Sequence, residues 1–161
     1  MPFTFNRNGH LTPHQPIPSN LEELEAGFVQ PFMQSHTRRR LFVNFLRYLE
    51  KFKSRVSRHF TVWVDGSFVT QKENPNDLDF VIFLDYRIYE VQEAFLDQFW
   101  TFSLEAEGLD AYLVKNYPAS HPNHEAITLS QTREWLYLYG NTAKDEEGIS
   151  YPKGFVELIF K

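Results

Sequence analysis

The sequence of 161 residues contains no cysteine. That excludes a disulfide framework and any thiolate metal site. No apolar run approaches the ~18–20 residues that span a bilayer, and no charged segment followed by an apolar stretch opens the chain. Neither a membrane helix nor a secretory leader is expected. Positive charge is in short supply: 16 Lys and Arg stand against 21 Asp and Glu, a formal net charge of -5. Such a surface is not built to hold long nucleic acid through phosphate contacts, although it leaves room for a nucleotide or one RNA end in a local site. The motifs Gly-x-x-x-x-Gly-Lys and Gly-x-Gly-x-x-Gly are missing, as is a Ser-His-Asp arrangement, which removes P-loop, Rossmann and hydrolase readings. The six histidines offer His10/His14 and His121/His124. Both pairs lie in Pro-containing loops without an acid at ligand spacing, so they read as surface residues. There is no internal repeat. The expectation is one soluble, cytoplasmic domain, long enough for a core of its own.

What the chain does have is concentrated between Thr61 and Asp85. A short apolar run, Val62-Trp63-Val64, breaks at Gly66-Ser67; after a polar loop, Asp77-Leu78-Asp79 opens a second run, Phe80 to Leu84. Both runs are rich in β-branched and aromatic residues and bounded by turn formers, which predicts strands. On a strand, Asp77 and Asp79 point to the same face, with Cα atoms roughly 6.6 Å apart. Two carboxylates side by side at the start of a buried strand repel each other and are costly to bury. Divalent cations would offset that cost, and paired metal ions are a common device in phosphoryl chemistry. Asp65, just before the glycine, reads as a turn or hydrogen-bonding residue.

This pattern resembles the signature of the nucleotidyltransferase superfamily, the fold of DNA polymerase β and the minimal nucleotidyltransferases. The signature is a hydrophobic residue, Gly and Gly or Ser, a loop, then Asp-hydrophobic-Asp-hydrophobic. Here it reads Gly66-Ser67, nine residues, and Asp77-Leu78-Asp79-Phe80, with element order alike from about His59 to Val114. The superfamily places a third carboxylate on a later strand, and Gly108-Leu109-Asp110-Ala111 supplies Asp110. The resemblance implies a mixed sheet with the acids at one strand end and helices on one side. It also implies catalytic and metal-binding roles for Asp77, Asp79 and Asp110, holding two Mg²⁺ (or Mn²⁺) ions. Gly66 and Ser67, with the helix start behind them, would hold the NTP phosphates, anion binding at a helix N-terminus. Lys72, the one cation of the loop, would neutralise a terminal phosphate, or it is a free surface lysine.

The rest of the chain predicts an α/β (α+β) domain over 21–161, preceded by an extended segment over 1–20 that is mobile unless Phe3, Phe5 and Ile17 dock. Ser19 and Glu22 have the form of a capping box before a helix bearing Leu21, Leu24 and Phe28. Leu41, Phe45, Tyr48, Leu49 and Phe52 recur at helical spacing. The Arg38–Arg40 run on that helix reads as a solvated face, with the alternative that one arginine points inward. Val91, Ala94, Phe95, Phe99 and Trp100 predict a crossover helix ending before Gly108. A helix over His124 to Tyr139, with Trp135, Leu136, Leu138 and Tyr139 on its apolar side, stops at Gly140-Asn141. Gly154 to Phe160 predicts a last strand.

The activity implied is transfer of a nucleoside monophosphate from a Mg-NTP to a hydroxyl of an unknown acceptor. The chain looks like the short bacterial members, some of which act as antitoxins. That leaves a second reading open, a non-catalytic binding module acting through a protein partner such as a cognate toxin. A third is that Asp77 and Asp79 merely cap a turn.

Overall fold

Among the described residues, seven strands and four α-helices follow the order β1 (Thr4–Phe5), β2 (Leu11–Thr12), β3 (Pro16–Ser19), α1 (Leu21–Phe28), α2 (Arg38–Arg55), β4 (Phe60–Asp65), β5 (Leu78–Asp85), α3 (Tyr86–Thr101), β6 (Leu109–Asn116), α4 (Ser130–Tyr139) and β7 (Phe155–Phe160). The structure, a computed structural model, describes residues 3–101 and 107–161, without the side chains of 99–101. The expected contributions of Phe99 and Trp100 therefore lie outside the described residues. The fold is α+β: a five-stranded mixed sheet ordered β3-β7-β4-β5-β6, and a two-stranded hairpin of β1 and β2. No helix among the described residues is long and apolar enough to cross a membrane.

Strand alternation sorts the side chains of the sheet. Val62, Val64, Phe80, Ile82, Ala111 and Leu158 face α1, α2 and α3 in the larger core. Trp63, Val81, Val114 and Phe155 face the other way, against Trp135 and Tyr139 of α4. Helices thus cover both faces, not one, because every central strand is apolar on both sides.

The N-terminal segment is strand-forming and docked. Β3 pairs in parallel with β7, and Phe3, Phe5 and Ile17 pack on the core. With Ser19 held in that strand, the helix cap moves one residue on. Asn20 accepts from the Glu23 N–H at 2.9 Å, while the Ser19 hydroxyl donates to the Glu23 carboxylate. On α3, Leu96 is buried and Val91 is 84% exposed, so the inward stripe is not the expected one. The span expected as one helix over His124 to Tyr139 starts with a π-helical segment, His124–Leu129. The Thr128 hydroxyl there ties it to β6 through Lys115 and Tyr117. Leu136 and Leu138 of α4 are exposed, and its buried side is Trp135 and Tyr139.

Arg38 overturns the solvated-face reading for its own position: it is fully buried. Its guanidinium lies over the Phe32 ring, 3.8 Å from the centroid. It donates to the carbonyls of Phe28 (2.8 Å), Phe68 (2.6 Å), Thr70 (2.8 Å) and Lys72 (2.5 Å). Desolvation pushes it down to about 10. The planar fork of five donors matches this set of acceptors, and it fixes the loop that follows Gly66. Arg38→Ala leaves those carbonyls short of a donor and is expected to cost about 3 kcal/mol or more in urea unfolding. Arg39→Ala, which removes an exposed ion pair with Glu25, should cost under about 1 kcal/mol. Equal effects would contradict the bracing role of Arg38.

Candidate functional site

Three neighbouring strands each bring one aspartate to the same end of the sheet. Asp65 closes β4, Asp79 is the second residue of β5, and Asp110 is the second of β6. The register sets Asp65 opposite Asp79 and Asp79 opposite Asp110. Neighbouring strands lie ~4.8 Å apart, so the three carboxylates leave one face of the sheet as a row. That is the face on which α4 packs.

Each acid meets a different environment. Asp65, expected at a turn, is buried and ion-paired with Lys153, whose ammonium also donates to the Tyr139 carbonyl at 2.8 Å. Burial pushes the Asp65 carboxyl up to about 6, against the pull of that ammonium. Among the described residues, no cation pairs with Asp79. Burial pushes it up to about 7, helped by the Asp77 charge and by the hydrogen bond and charge of Asp110. Asp110 accepts from the Tyr112 hydroxyl at 3.2 Å. Asp77 is exposed at the entrance to β5 and acts on Asp79 through its charge.

Gly66 is required here twice over. Its φ is +77°, a conformation that side chains disfavour. A Cβ at this position would also meet Asp79 Oδ2 at 1.8 Å. Gly108 plays the matching part before β6. Its φ is +73°, a Cβ would strike Leu41, and its carbonyl accepts from the Leu78 N–H at 2.8 Å. Gly66 thus lets the end of β4 approach Asp79, and Gly108 lets the start of β6 pass under α2.

A cleft of about 1370 Å³ opens over the row, and Gly66, Ser67, Lys72, Asp79 and Asp110 line it; Asp77 stays outside the lining. The helix expected behind Gly66-Ser67 is a single 3-10 turn, Ser67–Val69. A turn this short has no helix dipole to offer an anion, so Ser67 and the local backbone are what remain of that expectation. Lys72 is exposed on the rim, with its carbonyl bonded to Arg38. Among the described residues, no group of three or more His, Cys, Asp or Glu side chains is gathered tightly enough to hold a metal ion unaided.

Several lining residues were not singled out from the sequence: Arg7 from the β1–β2 hairpin, Tyr112, and Lys153; His10, read as a surface residue, is half-buried and lines the cleft too. Alternation along β6 puts Tyr112 on the face of Asp110, so its place was accessible to reasoning. Trp135 packs on it, 4.7 Å between centroids. Tyr139 was read only as an apolar helix residue. Its hydroxyl is buried without a hydrogen-bond partner among the described residues, and the charges of Asp65, Asp79 and Asp110 bear on it.

The raised Asp79 predicts a pH signature. A carboxyl held above its unfolded value contributes stability that is complete below about pH 4 and lost as pH rises through 7. Asp79→Asn carries no such loss. Without metal, its thermal stability should match the wild type near pH 4. It should exceed the wild type at pH 8 by about 1–2 kcal/mol, the full shift being discounted for partial solvation. A drop of about 0.5–2 kcal/mol at every pH would instead mark a structural cap.

Neither a curated protein nor a solved structure matches the chain. A family description matches residues 3–159, a span that includes the hairpin, the acid row and nearly all of β7. The chain belongs to that family, Family of unknown function (DUF6932).

Proposed function

We propose that the protein is a cytoplasmic nucleotidyltransferase, moving a nucleoside monophosphate from a Mg-NTP to an acceptor hydroxyl: the acceptor oxygen bonds to the α-phosphorus, the α–β phosphoanhydride bond breaks, and pyrophosphate leaves. The observation that carries this reading is the register pair Asp79–Asp110, crowded together in a cleft beside Gly66 with Asp77 at the strand entrance.

The residues fit magnesium in a defined sense. The donors are all oxygens, and Mg²⁺ is commonly bound by one or two carboxylates plus substrate phosphates rather than by a complete protein cage. An incomplete cluster is therefore what a site completed by the nucleotide has. The unpartnered Tyr139 hydroxyl near the row is a second point of fit, since a buried hydroxyl without a partner is costly. Asp79, Asp110 and Asp77 would hold the metal, two ions in the fullest form. When bound, the ions neutralise charge on the phosphates and lower the pKa of the acceptor hydroxyl.

The chain supplies the rest. Gly66 lets the nucleotide approach the backbone, Ser67 offers a hydroxyl to a phosphate oxygen, and Lys72 brings a positive charge to the rim. Asp110 would accept the proton of the acceptor hydroxyl on an Oδ atom. Tyr139 donates to a substrate oxygen, and Lys153 keeps Asp65 from adding a third uncompensated charge. A second reading, a partner-binding module of the same fold, draws on the exposed Leu136, Tyr137 and Leu138 of α4.

Calorimetric titration of each NTP with Mg²⁺ into the wild type and into Asp77→Asn/Asp79→Asn tests the proposal. Binding is expected that requires both metal and acids, followed by transfer of label from the α-phosphate to a component of cell extract. Absence of binding for every NTP would contradict the enzyme reading and turn the search to a partner. Tyr139→Phe gives a split result: apo stability unchanged or raised by up to about 1 kcal/mol, with NTP binding or turnover reduced. Lost stability with unchanged binding would make Tyr139 a packing residue only.

A further inference from the structure

The single turn after Gly66 leaves a charge problem on the nucleotide-binding side. An NTP brings several negative charges into a cleft already lined by Asp65, Asp79, Asp110 and Glu134. Lys153, the buried lysine, is committed to Asp65 and the Tyr139 carbonyl. A helix N-terminus would have met part of the phosphate charge, but the 3-10 turn cannot. Beyond the metal, the neutralising groups must be side chains, and the lining cations other than the committed Lys153 are Arg7, Lys72 and Lys144.

The N-terminal hairpin meets this need. Its tip, Arg7 to His10, lines the same cleft, and it is a constructed turn rather than a loose end. The Asn6 side chain accepts from the N–H groups of Asn8 (2.9 Å) and His10 (3.1 Å), and the Asn6 N–H donates to the His10 carbonyl. Gly9 turns the chain at φ +79°. The tip is fastened to the loop that carries Lys72: the Gln71 N–H donates to the Gly9 carbonyl at 3.0 Å, and a Cβ on Gly9 would lie 3.2 Å from Gln71 Cβ. At the other end, Phe3 packs on Phe28, with ring centroids 4.6 Å apart. His10 does not supply the cation, since desolvation and the Lys153 charge hold it below the ordinary histidine range. Arg7 is exposed at the tip, and its fork of donors suits phosphate oxygens.

We propose that the β1–β2 hairpin is the phosphate wall of the cleft, with Arg7 and Lys72, brought together by the Gly9–Gln71 contact, binding the β- and γ-phosphates of a nucleoside triphosphate. This rests on the nucleotide reading of the acid row and extends it. The hairpin makes the site selective for triphosphates over monophosphates. It also makes residues far from the Gly66-Ser67 motif part of nucleotide recognition.

The test compares Mg-NTP and NMP affinities of the full chain for wild type, Arg7→Gln and Arg58→Gln. Arg58 is exposed beside the Lys53 and Phe160 depression, away from this cleft, and controls for net charge. Wild type and Arg58→Gln are expected to prefer the triphosphate. In Arg7→Gln, triphosphate affinity should fall about tenfold, while monophosphate affinity and melting temperature stay the same. An unchanged triphosphate preference in Arg7→Gln would overturn the proposal while leaving nucleotide binding intact. Inorganic tripolyphosphate with Mg²⁺ separates the two readings. Arg7-dependent binding of tripolyphosphate without NTP binding upholds an anionic-ligand wall and removes the nucleotide. Failure of the wild type to bind either ligand overturns both.

Discussion

The structure turns on a repulsion. Asp79 sits between strands that put Asp65 on one side and Asp110 on the other, with Asp77 two residues away along its own chain. Burial and these neighbours make its full charge so costly that the proton stays on to about pH 7. A fold gains nothing from such an arrangement by itself; an Asn at the same place would hydrogen-bond without the repulsion. Much around the row serves to make the crowding possible. Gly66 removes a side chain that would collide with the Asp79 carboxylate, and Gly108 lets the turn into β6 pass against Leu41 of α2. Lys153 neutralises the acid that takes no part.

The second layer of support is Arg38. It lies outside the cleft and gathers carbonyls from the end of α1 and from the loop after Gly66. The loop between β4 and β5 therefore has one shape, and the side chains it carries to the cleft, Ser67 and Lys72, have fixed origins. The hairpin then closes against the same loop through Gln71. One loop is held from behind by a buried arginine and from above by the N-terminus. The cleft is thus built from the sheet, this loop and the hairpin.

How much of this could be read in advance depended on the distance over which each signal acts. The strands around Asp77-Leu78-Asp79 and Gly108-Leu109-Asp110, and the apolar stripe of α2, are local patterns, and they stand where periodicity put them. Β6 pairing in parallel beside β5 follows from a strand, a crossover helix and a strand, and that pairing sets Asp79 beside Asp110. The role of Asp65 was not legible, because its partner Lys153 is 88 residues away in a short polar stretch with no periodicity of its own. Arg38 looked like its neighbours Arg39 and Arg40; only the tertiary packing of Phe32 and Phe68 around it singles it out. Ser19 as helix cap failed because a strand pairing claimed it first. On α4, the exposed Leu136 and Leu138 break the rule that apolar residues turn inward, and Leu138 lines the cleft.

The central claim is that the Asp79–Asp110 pair is relieved by a metal-bound nucleotide. Its most direct measurement is the proton balance of binding. Mg-NTP is titrated into the wild type near pH 6.5 in two buffers of different ionisation enthalpy. A carboxyl with its proton held to about pH 7 must give it up to become a ligand. Release of between roughly half and one proton is expected on binding, with loss of that release in Asp79→Asn. Binding heats that are identical in the two buffers, or no binding at all, would contradict it.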